Sequence, residues 1–127
     1  MRINYLYHNW LMKIMQLRPG ERITRIRNLA WLMVGIFESK SVLLNKIAMK
    51  IPGVANLLSV TRRMSRFLDN PAIRVREWYG PVARDWLTAA ANTVGEIRLI
   101  LDATHVGFGH QLLMVSLAFR RRAIPFA

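Results

Sequence analysis

An α+β fold is predicted: an N-terminal all-α helical bundle over residues 1–92, then a short run of β-strands over residues 93–127. Two observations carry this. Through residue 92 the apolar residues recur three and four apart, the period of a helix. From residue 98 onward they form short continuous runs bounded by a glycine-rich and an arginine-rich turn, the pattern of strands. With 127 residues, 53% of them hydrophobic, the chain can bury a core and is no disordered polycation.

The spacing predicts a first helix over 3–17, rich in apolar residues and ended by Arg18-Pro19-Gly20. A second helix spans 21–38, with Ile23, Ile26, Ala30, Met33, Val34 and Phe37 on one stripe. Arg22, Arg25 and Arg27 crowd its first turns, where each opposes the helix dipole by a few tenths of a kcal/mol. Arginines tolerated there either form a solvated face or are candidates for a contact outside the chain. A third helix is expected over 42–50 and a fourth over 60–68, with Ser59 as its N-cap. In the fourth, Val60, Met64, Phe67 and Leu68 form an inward stripe, while Thr61, Arg62, Arg63, Ser65 and Arg66 occupy the other side.

A short helix, a turn and a helix with an arginine- and serine-bearing outer surface form a helix-turn-helix-like pair, the layout of a major-groove reader. A three-helix bundle with an exposed basic helix gives the same pattern. Residues 72–92 are helical again, with a kink or a junction of two helices expected at Gly80-Pro81. Trp78 and Trp86 share the apolar stripe and read as core anchors. Residues 92–95 read as a linker.

The segment 98–104 reads as a buried strand ending in Asp102, whose carboxylate would then need a cation, a metal or donors around it, or would cap the following turn. Gly107-Phe108-Gly109 lies in a turn without the spacing of a phosphate loop. A long strand over 111–119, a tight basic turn at Arg120-Arg121-Arg122 and an edge strand from Ala123 complete the chain. Three strands with no helix to cover them make an incomplete core, so this third is expected to open a larger domain.

Charge gives the broadest functional signal. Nineteen Lys and Arg against seven Asp and Glu leave a net of +12, which points to a polyanionic partner. The absence of cysteine removes disulfides, thiolate metal sites and thiol nucleophiles. No apolar run is long enough to span a membrane: the longest stretch without charge, 103–119, holds two histidines, two glycines, Gln111 and Ser116. Its N-terminus lacks a small-residue cleavage site, and no signal peptide is assigned. His8, His105 and His110 do not show a ligand spacing. An aspartyl-phosphate site at Asp102 is disfavoured by Thr104, where a second aspartate is usual.

The run LILDATHVGFGHQLLMVSLAFRRRAIPFA resembles the opening of the catalytic domain of IS-four-type insertion-sequence DDE transposases. Shared features are an apolar strand ending in Asp102 with Thr104 after it, a strand ending in Phe119, and a basic turn into Ala123-Ile124-Pro125-Phe126. RITRIRNLAWLMVGIF, LLNKIAMKIPG and RRMSRFLDNP are similar to the helical DNA-binding region that precedes that domain. The resemblance implies that 93–127 begins an RNase H-like domain with strands one to three. Asp102 would be its first catalytic carboxylate and a ligand to Mg²⁺, in a centre where two ions about 4 Å apart drive phosphoryl transfer. No acidic residue follows Asp102, so the expected protein is a truncated or split transposase, not competent to cut DNA alone. Double-stranded DNA at transposon ends is the expected partner, contacted by Thr61, Arg62, Arg63, Ser65, Arg66, Arg22 and Arg25. A second polypeptide could carry the remaining carboxylates. The expected location is the bacterial cytoplasm, associated with the nucleoid and with no membrane. A non-enzymatic basic protein that binds DNA or RNA is the alternative.

Overall fold

A computed structural model describes residues 2–126. Five helices precede a three-stranded antiparallel sheet: α1 (Arg2–Leu17), α2 (Ile23–Ser39), α3 (Leu44–Ala48), α4 (Leu57–Leu68), α5 (Val75–Val94), β1 (Leu99–His105), β2 (Gln111–Phe119) and β3 (Arg122–Pro125). The α+β class and the order of elements agree with the periodicities. Two compact units divide the chain, Met1–Trp78 and Tyr79–Ala127. That division falls inside α5, ahead of the change of period near residue 92.

In the helical unit, α2 is buried on more than one side, which its single predicted stripe did not show. Ile26 and Ala30 pack with Ile14 and Trp78. Leu32, from another side of α2, packs with Ile47, Met64 and Phe67. Gly35 lets α3 approach: a Cβ there would lie 2.4 Å from Ile47 Cγ2 and 3.2 Å from its carbonyl oxygen. Helix α4 begins earlier than expected. Its N-cap is Asn56, whose Oδ1 accepts the Ser59 N–H at 2.8 Å, so Ser59 belongs to the first turn and is not the cap. Helix α3 has only five residues, shorter than the stretch 42–50.

Helix α5 runs unbroken through Pro81 and on to Val94, where Gly95 at φ +78° ends it. Neither two helices nor a linker at 92–94 is present. Continuing through proline leaves the carbonyl four residues back without its helical donor, a loss that normally breaks the helix. Here that carbonyl, Glu77 O, accepts from Arg18 Nη1 at 3.0 Å. The same guanidinium donates to Glu21 at 2.9 Å and lies 5.2 Å from the centre of the Trp78 ring. Trp78 is buried and meets Phe67 edge-on, which makes it the core anchor its stripe predicted, whereas Trp86, read from the same stripe as an anchor, is exposed.

In the second unit, Leu117 and Phe119 of β2 pack with Ala90 and Leu87 of α5 and with Ile124 and Phe126. Tyr79 Oη donates to the Pro125 carbonyl. Strand register pairs Leu101 with Val115 and Asp102 with Met114. Side chains alternate, so Leu99 and Leu101 share the face of Leu117, and Asp102 lies on the opposite face with Ile100 and Thr104. Every residue of β1 is exposed, which corrects the buried strand read from its composition. Apolar content announces a strand, but burial depends on cover, and the α5 core reaches β2 and the segment 124–126 without including β1.

The β2–β3 turn has Arg120 at φ +48° and Arg121 at φ +62° between paired Phe119 and Arg122. Positive φ at both central residues is the primed turn that suits a tight hairpin. Asparagine and glycine fill it readily, whereas a left-handed conformation costs other L-residues about 1–2 kcal/mol each.

Candidate nucleic-acid interface

The side of α2 that carries Leu32 and Gly35 continues N-terminally as Asn28 and Arg25, three or four residues apart. On α4, Ser59, Arg63, Arg66 and then Asn70 just past its end follow the same spacing along a flank beside the buried Val60–Met64–Phe67 stripe. Where the apolar contact between the two helices ends, these polar stripes open into a concavity of about 310 Å³. Arg22, Arg25, Arg63 and Arg66 line it, with Thr24, Asn28, Ser59 and Asn70 supplying smaller polar groups and Phe67 an apolar wall. Two arginine groups that are about forty residues apart in sequence thus meet at one place.

Its electrostatics are set by position. The N-terminus of α2 is uncapped by any side chain, and Arg22 stands at its N-cap. The helix dipole therefore adds positive potential to that of the guanidinium groups. Glu21 offsets part of this. Its carboxylate accepts from Arg18, from the Arg22 N–H at 3.0 Å and from Arg25 Nη1 at 2.9 Å. The Arg18 hydrogen bond is the leading cause that draws its pKa from 4.5 to about 2, with the Arg22 N–H and Arg25 adding to it. Arg25 is thereby held by one carboxylate oxygen while also lining the concavity. Nearby, the Tyr7 ring stacks on Trp31 at 3.8 Å. Burial raises the Tyr7 pKa against the opposing pull of Arg27 and Arg63.

Not every expected contact residue joins this site. Arg62 lies on α4 outside the concavity and is exposed. Thr61 and Ser65 lie on the other flank of the helix, and their hydroxyls are engaged locally: Thr61 Oγ1 donates to Leu57 O at 2.8 Å, and Ser65 Oγ to Asp69 Oδ2 at 3.3 Å. Residues 49–56 separate α3 from α4, longer than the three or four residues of a helix-turn-helix turn. Sequence reasoning passed over Thr24, Asn28, Ser59 and Asn70. Their signal was spacing, since each shares a helical stripe with an arginine already singled out.

Four guanidinium groups around a concavity suit an anion with several oxygens, because each offers a planar fork of donors matched to phosphate. Asp102 presents a different picture. It is exposed on β1, and among the described residues no three His, Asp or Glu side chains gather as a metal site. A lone exposed carboxylate does not fit the two-ion centre that the transposase resemblance implies. Among the described residues no helix is long and apolar enough to cross a membrane. No protein-family model, no curated protein and no solved structure matches the chain.

Proposed function

We propose that the helical unit binds double-stranded DNA by gripping its phosphate backbone with Arg22, Arg25, Arg63 and Arg66. The observation that carries this reading is the convergence of those four side chains on one concavity. The field around it favours the same ligand. Residues 1–78 hold 14 of the basic and four of the acidic side chains, a net of +10. Arg62, exposed on α4, extends the basic surface beyond the concavity. The likeness of residues 22–37, 43–53 and 62–71 to the helical region of IS-four-type transposases supports transposon ends as the duplex, with the nucleoid of a bacterial cytoplasm as the setting.

Duplex binding measured against salt concentration tests the reading. Four neutralised phosphates give a slope of log K against log salt of roughly −3.6, and further surface contacts make it steeper. Replacing Arg22, Arg25, Arg63 and Arg66 with glutamine should flatten the slope by about three to four. An unchanged slope in the substituted chain, or tighter binding to structured RNA than to duplex DNA, would overturn it.

A further inference from the structure

The second unit carries a separate basic feature that the site on α2 and α4 does not use. Arg120, Arg121 and Arg122 stand at the β2–β3 hairpin, all exposed. Arg98 joins them in lining a surface cavity of about 450 Å³, whose one acidic lining residue, Glu96, pairs with Arg98. Arg120 and Arg121 hold left-handed backbone conformations, at φ +48° and +62°. Their turn is one that asparagine and glycine would occupy without strain. The core of this unit consists of Ala90, Leu117 and Phe119 with apolar neighbours. Arg120 is nonetheless positioned, since its guanidinium lies 5.2 Å from the centre of the Phe119 ring, a residue of that core. Strained arginines in a turn that other residues would fill at lower cost, presented together and partly preorganised, are the marks of a contact made outside the chain.

We infer that the Arg120-Arg121-Arg122 tip is a second phosphodiester-binding element of this chain. This rests on the reading of the helical unit as a duplex binder. Consecutive guanidinium forks on a tight turn match successive phosphate oxygens. The strain is then the stability given up for the contact.

Its test uses the full chain with Arg120→Asn and Arg121→Gly together. Those residues favour the turn, so Tm should rise while duplex affinity falls at least roughly tenfold and the salt slope becomes shallower by about two. An unchanged affinity and slope overturns the inference, as does a fall in Tm, which would mean that the turn itself was lost. Anionic vesicles binding more tightly than duplex, through the same arginines, would overturn it in favour of a membrane contact. The Arg63→Gln, Arg66→Gln chain run alongside separates the two claims. Should that chain lose affinity while the hairpin variant does not, only the hairpin inference fails. Should neither variant lose affinity, the duplex reading fails with it.

Discussion

The two units differ in where their apolar and charged residues went. In Met1–Trp78 the apolar side chains of several helices close around two buried clusters, and a net charge of +10 is left on the surface. Among the described residues of Tyr79–Ala127, Ala90, Leu117 and Phe119 form one buried cluster and Leu99, Leu101 and Leu113 stay exposed; the net charge of this stretch is +2. Charge alone would place polyanion binding somewhere on a basic chain. Packing gathers four of the arginines: α2 and α4 meet through Leu32, Met64 and Phe67, and their polar stripes line one concavity beside that contact. The sheet has no comparable scaffold around Asp102, and its basic residues gather at a hairpin tip instead.

The contrast can be broken most severely in the cores. Met64→Ala and Leu117→Ala each empty a fully buried site, with an expected cost of about 2–5 kcal/mol. Two separate units predict different consequences. Chemical denaturation should show that Met64→Ala lowers both the helical signal and duplex affinity, whereas Leu117→Ala should leave the affinity contributed by α2 and α4 intact. Equal loss of binding in both variants would erase the distinction.

Arg18→Met comes next, at about 1–3 kcal/mol, because it removes the side-chain donor to Glu77 O opposite Pro81 and one of the donors to Glu21, which keeps those from Arg22 and Arg25. Pairing it with Pro81→Ala restores a helical donor for that carbonyl. The double variant should regain part of the loss, and a strictly additive result would contradict the role given to Arg18. Gly35→Ala is expected to cost about 1–3 kcal/mol through overlap with Ile47, read as a lower Tm.

Acid separates the units more gently. The Glu21 pKa is about 2 in the folded chain against an ordinary 4.5, so its contribution to stability is complete above pH 4.5 and lost as pH falls toward 2. Glu21→Gln should lower stability at neutral pH and flatten its dependence across that window. The smallest effect is expected for Leu101→Lys on exposed β1, within about 0.5 kcal/mol of the parent by denaturation. A large loss there would show that β1 is covered after all.

Much of this was legible in the residues. Helical period and turn chemistry placed all eight elements, and the strand over Gln111–Phe119 has the bounds its apolar run predicts. Arg22, Arg25, Arg63 and Arg66 stood out by charge. Their meeting did not, because it depends on the second buried side of α2, where Leu32 and Gly35 break the simple amphipathic pattern. Continuity of α5 was hidden for a similar reason: the donor that rescues Glu77 O comes from Arg18, 59 residues away. Asp102 shows the converse limit. Its apolar neighbours marked a strand correctly, yet composition carries no information on what lies against that strand, and the carboxylate proved exposed.

The central claim is that stripes from α2 and α4 act as one phosphate site. A double-mutant cycle on duplex affinity with Arg25→Gln and Arg63→Gln, singly and together, tests it most directly. The account predicts a coupling of about 0.5 kcal/mol or more between the two positions. Additivity to within about 0.3 kcal/mol would contradict a shared site and leave two independent basic patches.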